Sequence, residues 1–183
     1  GLGYSFGVFA GPLQGSVDEF TQQYVARVDI APLDDLGFGV AWSRRDFLSP
    51  FPGAGDELEA GNAFIADLEY GGPTPAPGPH VVVEAAIGDY QPFLDQGFAG
   101  VQAWLGYRAR VGRSLTLIEP IFRVSHASID DVIDATTPDG TLITPGLNLY
   151  FGGLNRILFN YDIWLGEGDT DASSFKAQFQ FVF

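Results

Sequence analysis

Twelve charged residues occur in segments that are otherwise rich in apolar side chains. Within each segment, these twelve residues fall only at every second position, which we call the polar parity. Alternate residues of a β-strand point to the same face, so each segment would carry its charges on one face and its apolar residues on the other. Such a charged face forms either a pore wall, where charge sets ion selectivity, or internal ion pairs that brace a narrow interior. The basic residues are Arg27, Arg108, Arg110, Arg123, Arg156 and Lys176. The acidic residues are Asp29, Asp67, Glu69, Glu84, Glu119 and Asp162.

The remaining residues offer little catalytic or metal-binding chemistry. His126 lies beside serines and carboxylates, as a general base would, but His80 is the only other histidine. The acidic segments Asp130–Asp131 and Asp169–Asp171 supply the oxygen ligands that Ca²⁺ or Mg²⁺ prefer, but their spacing completes no site. The chain has no cysteine, and its glycine-rich stretches lack the helix and lysine of a phosphate loop. We therefore predict no catalytic residues, no metal, no cofactor and no enzymatic activity.

The C-terminal segment shows the alternation most clearly. One parity holds Phe175, Phe179, Phe181 and Phe183, and the other holds Ser174, Lys176, Gln178 and Gln180. Four phenylalanines on one face of a strand need either a protein core or lipid to cover them. A strand can cross lipid only inside a closed barrel, where its neighbours satisfy the backbone hydrogen bonds.

Ten segments with a period of two predict an antiparallel sheet that positions the charged residues. They span residues 2–10, 22–30, 36–44, 63–70, 81–89, 98–111, 115–126, 142–151, 156–165 and 173–183. Trp104 falls on the polar side, which predicts a bulge or a packed interior there. Short and long connections tend to alternate, as the periplasmic turns and extracellular loops of outer-membrane barrels do. One long connection, residues 46–62, is rich in apolar residues and proline, and we expect it to narrow the mouth.

The composition restricts the class of protein. The chain of 183 residues fits one domain, residues 1–183, and its 23 acidic and 9 basic residues give a net charge of −14. This charge argues against nucleic acid as a partner. No run approaches the roughly 18 apolar residues of a membrane helix, which transmembrane strands do not need. A soluble barrel or sandwich would also alternate, but the single lysine and the glycines of the polar parity favour a membrane barrel.

The aromatic ending resembles the last strand of bacterial outer-membrane β-barrels, where it acts as an assembly signal. Two longer stretches resemble the phosphate-selective porin (O and P type) family. They are Tyr24–Pro32 followed by Leu36–Trp42, and Pro145–Phe151 followed by Arg156–Tyr161. The resemblance covers the later part of a family member, whose barrel has more strands, so the chain is either a complete small barrel or the C-terminal part of a larger one. It implies a location in the bacterial outer membrane and an anion path along the basic residues of the inner wall.

We therefore predict an all-β fold, an antiparallel transmembrane β-barrel with about ten strands in this chain. The predicted function is that of a porin that gives passive diffusion of small solutes or ions. The alternative is a closed, non-conducting barrel whose acidic extracellular loops serve adhesion, assembly or a structural role. The expected partners are outer-membrane lipid and lipopolysaccharide, the solutes or ions, and further copies or subunits of a membrane complex, but no nucleic acid.

The last two segments predict a specific hairpin. A turn centred near residues 168–170 would set directly opposed pairs, which are Trp164 with Ser174, Asp162 with Lys176, and Asn160 with Gln178. Directly opposed charges can form an ion pair. Aromatic residues are expected at the membrane interfaces, Phe151, Phe181 and Phe183 on the periplasmic side and Trp42 on the outer side.

Overall fold

The structure is a computed structural model that describes residues 1–12, 20–48, 58–72, 76–91, 96–129, 139–152, 155–166 and 172–181. All regular secondary structure in these ranges is β-strand. The ten strands are β1 (Leu2–Pro12), β2 (Phe20–Leu33), β3 (Leu36–Leu48), β4 (Leu58–Tyr70), β5 (Gly78–Gln91), β6 (Gln96–Arg110), β7 (Leu117–Ile129), β8 (Gly140–Tyr150), β9 (Arg156–Gly166) and β10 (Ala172–Gln180). The described residues form no helix that is long and apolar enough to cross a membrane.

The strands form one sheet in chain order, and each is antiparallel to the next. All ten predicted segments contain strands, but β10 ends at Gln180 and residues 182–183 lie outside the described residues. Several strands extend further than the side-chain pattern does. For example, β3 and β4 stay paired as far as Leu48 and Leu58, because backbone hydrogen bonds continue the ladder without side-chain alternation. The segment expected to narrow the mouth therefore begins and ends as strand. Its central residues, 49–57, lie outside the described residues.

The two faces of the sheet differ as the alternation predicts. The outer face carries the apolar parity and is exposed, with Phe122 at 50% and Phe179 at 63% of full exposure. The inner face carries the polar parity, and on it Glu119 and Asn148 are fully buried. Soluble antiparallel sheets pack the apolar face into the core and leave the polar face in water. This sheet has the inverse arrangement.

The inner face is concave. Neighbouring strands lie about 4.8 Å apart, so strands on either side of a third are about 9.6 Å apart. Side chains nevertheless meet across an intervening strand. Arg27 on β2 reaches Asp67 on β4 at 2.8 Å, and His80 on β5 lies 2.7 Å from Glu119 on β7. A single sheet buries a side chain completely only where it curls, so that side chains of the inner face cover one another.

The strands are staggered in one direction across the sheet. A line of direct Cα partners connects the first residue of β1 with the second residue of β10. It runs through Leu2, Ile30, Phe38, Leu68, Val83, Ala103, Val124, Ile143, Ile163 and Ser173. Because β1 and β10 run in opposite directions, their first residues belong to opposite ends of the sheet. The stagger therefore amounts to most of a strand length, and tilted barrel strands require a stagger of this kind.

The sheet is open between its edge strands, because β1 and β10 are not paired with each other in the part of the chain that the structure describes. The structure thus contains the predicted ten-stranded antiparallel sheet but not a closed ring. The inner face is exposed at both edges, with Phe9 on β1 at 58% and the side chain of Lys176 on β10 at 65%.

The register of the last hairpin differs from the prediction by two residues. Lys176 lies opposite Asn160 rather than Asp162, and Ser174 lies opposite Asp162 rather than Trp164. The predicted turn was placed one residue too far along the chain, which moves every pair by two and keeps each side chain on its predicted face. Lys176 still forms the predicted ion pair, diagonally, with its Nζ 2.5 Å from Oδ2 of Asp162.

Cysteine pairs can test this register, because the native chain has no cysteine. Direct cross-strand partners have Cα atoms about 4.5–5.5 Å apart, within the range of a disulfide, whereas diagonal partners exceed it at about 7–8 Å. We expect Asn160→Cys with Lys176→Cys to oxidise to a disulfide in the folded protein. Asn160→Cys with Gln178→Cys is the matched control and should keep free thiols, measured by alkylation and mass spectrometry. The reverse result would restore the register predicted from the sequence.

Candidate functional site

The structure places all twelve predicted charged residues on the inner face, because the strand registers keep the parities aligned across the sheet. Nine of them belong to three groups of three. The Arg27 group contains Arg27, Asp29 and Asp67, the Glu119 group contains Glu69, Arg108 and Glu119, and the Asp162 group contains Arg123, Asp162 and Lys176. The others, Glu84, Arg110 and Arg156, lie outside these groups.

The Arg27 group ties β2 to β4. The Nε atom of Arg27 donates to Asp29 at 2.7 Å, and its two terminal nitrogens donate to both carboxylate oxygens of Asp67 at 2.8 and 3.0 Å. The guanidinium lies over Gly39 of β3, where an added Cβ would stand only 2.1 Å from Nη2 of Arg27. Glycine at position 39 therefore leaves the space that the guanidinium of this bidentate pair occupies. Charge-assisted bidentate pairs are among the stronger hydrogen-bonded contacts in proteins.

The Glu119 group is centred on a carboxylate that has no exposed surface. One oxygen, Oε1, lies 2.7 Å from Nδ1 of His80 and accepts from Nε of Arg108 at 3.1 Å. The other, Oε2, accepts from Nδ2 of Asn148 at 2.8 Å and from the hydroxyl of Tyr150 at 2.7 Å. A buried charge is stable only if it is paired and hydrogen-bonded, and partners on β5, β6 and β8 meet this requirement.

Arg108 extends the Glu119 group to the turn between β4 and β5. Its Nη1 atom donates to the carbonyl oxygens of Gly71 and Gly72 at 2.9 and 3.1 Å. Both glycines have positive φ, at 99° and 65°, a conformation that side chains disfavour. An added Cβ at Gly71 would also stand 2.5 Å from the carbonyl oxygen of Pro79. The turn is thus shaped by its glycines and held from inside by a buried guanidinium.

The Asp162 group joins β7, β8, β9 and β10. Oδ1 of Asp162 accepts from the hydroxyl of Thr144 at 2.6 Å and lies 3.6 Å from Nη2 of Arg123, while Oδ2 faces Lys176. The Arg123 guanidinium also donates to Thr144 at 3.2 Å. The two cations and one anion leave this group with a net positive charge.

Of the three charged residues outside the groups, Glu84 and Arg156 are half-buried and Arg110 is exposed. Glu84 accepts from Gln102 at 3.1 Å. Arg156 donates to Gln180 at 2.8 Å and stands over the ring of Tyr150. Arg110 is exposed at the end of β6.

Sequence reasoning missed the uncharged and aromatic members of the inner face. His80, Thr144, Asn148 and Tyr150 are all buried there and complete the hydrogen bonds of Glu119 and Asp162. Their strand parity was the available signal, but the prediction considered charge alone. Trp104 confirms the packed-interior alternative, because its ring packs edge-on against His80 at 5.1 Å and β6 is paired regularly at this point.

The structure adds no catalytic or metal-binding arrangement in the ranges it describes. His126 is exposed, with Nδ1 3.2 Å from the hydroxyl of Thr141. Among the described residues, no three histidine or acidic side chains are placed to hold a metal ion. The acidic segments Asp130–Asp131 and Asp169–Asp171 lie outside those residues.

The chain matches no protein-family model, no curated protein and no solved structure. The resemblance to the phosphate-selective porin family therefore stays a prediction from the residues that carry it. The function has to follow from the geometry of the inner and outer faces.

The buried carboxylate should dominate the stability of the inner face. We expect Glu119→Gln to lower the free energy of unfolding by about 3–5 kcal/mol, because it leaves the buried Arg108 guanidinium without its anion. Glu84→Gln is the matched control and should change it by less than about 1 kcal/mol, since an accessible carboxylate contributes little. Urea titration in detergent micelles, followed by tryptophan fluorescence, measures both values. Equal effects would show that Glu119 is not the centre of the interior.

Proposed function

We propose that this chain forms the wall of a β-barrel in the bacterial outer membrane and that its inner face lines a path for passive diffusion of small solutes or ions. The observation that carries the proposal is the inverted distribution of polarity. Large apolar side chains are exposed on the outer face of every strand except β8, while charged groups are gathered on the concave inner face.

Water is a poor solvent for the outer face. Covering one large apolar side chain stabilises a protein by about 1.5–3 kcal/mol, and nine of the ten strands expose at least one on the outer face. Contiguous apolar patches of this extent mark a surface that binds a membrane or another protein. Lipid fits best, because the face follows the whole curved sheet and neighbouring strands satisfy the backbone hydrogen bonds except along the edges of β1 and β10, which closure of the barrel would pair.

The charges of the inner face fit a water-filled path with a nearly neutral wall better than an anion path lined by unpaired cations. Arg27 and Arg108 are engaged by acidic residues, and Arg123 and Lys176 share Asp162. The anion path implied by the family resemblance therefore finds little support in the geometry of these residues. A nearly neutral, polar wall suits the passage of small hydrophilic solutes better than selection of one anion.

One observation favours the second candidate, a closed barrel with a structural or adhesive role. In the Glu119 group, Arg108 and Glu119 are buried near the β4–β5 turn, which lies at the same end of the sheet as Gly1. Small barrels fill their interiors with side chains, and a continuous layer of this kind would block solutes. The porin proposal thus needs the path to pass beside this group, along the accessible inner face of the first and last strands.

The lipid contact can be tested with arginine substitutions at two depths. Phe122 lies near the middle of β7, and Phe181 follows the last residue of β10. In a bilayer, Phe122→Arg should lower the free energy of unfolding by about 2–4 kcal/mol and Phe181→Arg by about 0–1 kcal/mol, because charge is tolerated better near the interface. Urea titration in phosphatidylcholine vesicles measures both. Equal costs, or folding that needs no lipid or detergent, would contradict a membrane location.

Conductance separates the two candidate functions. The chain, refolded and added to planar bilayers, should give unitary current steps if the inner face lines an open path. Phe122→Arg, which is expected to fold poorly in lipid, serves as the inactive control. A protein that inserts into vesicles but gives no steps would support the closed barrel and remove the porin proposal.

A further inference from the structure

The inner face carries opposite net charge on its two halves. On β2 to β5, two cations stand among five anions. They are Arg27 and Arg45, with Asp29, Glu59, Asp67, Glu69 and Glu84. On β6 to β10, five cations stand among two anions. They are Arg108, Arg110, Arg123, Arg156 and Lys176, with Glu119 and Asp162. We call these the acidic half and the basic half.

The charges that a solute can reach show the same division. In the acidic half, the side chains of Asp29 and Glu69 retain 50% and 32% of their exposure, and the cation Arg27, which is paired with Asp29 and Asp67, retains 34%. In the basic half, Lys176 retains 65% and Arg123 retains 30%. The fully buried Glu119 is out of contact with solvent and neutralises Arg108. The local ion pairs weaken the electrostatic potential of each half but do not change the sign of its net charge.

The two halves would face each other in the proposed barrel. Each half is a continuous set of neighbouring strands, so a closed ring has β2 to β5 on one side of the interior and β6 to β10 on the other. Charges of opposite sign on facing, low-dielectric walls produce a field directed across the interior rather than along it. Such a field exerts little net force on a neutral molecule without a dipole.

We infer that the inner face selects small zwitterions, solutes that carry a cation and an anion a few bonds apart, as free amino acids do. The ammonium of such a solute turns toward the acidic half and its carboxylate toward the basic half, so both charges gain attraction at once. A simple monovalent ion is attracted by one half and repelled by the other. The inference rests on the proposed diffusion path and adds the class of solute that uses it.

The permeation test compares glycine with ethylene glycol, a neutral solute of similar size, by swelling of liposomes that contain the protein. We expect glycine to enter at least about threefold faster, which is less than the roughly tenfold or more that focused charge achieves, because local ion pairs weaken each half. The advantage should fall as salt rises from 0.01 to 0.15 M (about 30 to 8 Å of screening length), because added ions screen the field. Equal rates for the two solutes at low salt would overturn the inference.

Charge-neutralising variants separate a transverse field from a simple excess of charge. The acidic-half variant is Asp29→Asn with Glu84→Gln, the basic-half variant is Arg110→Gln with Lys176→Gln, and a third variant combines all four changes. In reversal-potential measurements, the wild type should discriminate weakly between K⁺ and Cl⁻. The acidic-half variant should favour Cl⁻ and the basic-half variant K⁺, each by at least about twofold.

The combined variant distinguishes a transverse field from a simple excess of charge. Its balance of charge is restored, so its ion selectivity should return to the weak wild-type value, but its preference for glycine should fall, because each half keeps only one of its three net charges. A combined variant that keeps the glycine preference would overturn the inference while leaving the porin proposal intact. If the wild type conducts no ions and admits neither solute, the proposed diffusion path fails and the inference fails with it.

Discussion

The structure depends on the solvation of one carboxylate. Glu119 has no exposed surface, and a charge removed from water is tolerated only if its neighbours replace the lost hydrogen bonds. His80, Arg108, Asn148 and Tyr150 do so from β5, β6 and β8. These strands must therefore keep both their register and their curvature, since a slip of one residue would move a partner to the other face. The carboxylate thus fixes the central part of the sheet.

Polar contacts replace the apolar core that a soluble sheet would have. Leu117 and Tyr150 are the only apolar or aromatic side chains among the described residues that are buried as a core would require. Elsewhere, side chains of the inner face reach across strands, as Arg27 does to Asp67 over Gly39. A sheet built in this way has little hydrophobic stabilisation in water. Its outer face supplies that stabilisation once an apolar medium covers it, which links the stability of the fold to its surroundings.

The sequence predicted the strands and their faces because a period of two is a local property. It placed Phe179 outside and Glu119 inside without knowledge of the neighbouring strands. It did not predict the register of the last hairpin, because a single residue in the position of the turn moves Lys176 from Asp162 to Asn160. The role of Asn148 was also missed, since an amide becomes important only when a buried carboxylate lies beside it. Whether β1 and β10 meet depends on the accumulated stagger of ten strands, which no short segment encodes.

The hydrogen bonds from Arg108 to the β4–β5 turn affect how readily that turn can open. Turns at the rim of a sheet usually open locally, with little effect on the interior, and their amide hydrogens exchange readily. Here the carbonyl oxygens of Gly71 and Gly72 are bound by the same guanidinium that neutralises Glu119. The turn cannot lift away without uncovering a buried charge, so its opening is coupled to that of the interior. A surface turn thereby becomes part of the most cooperative unit of the fold.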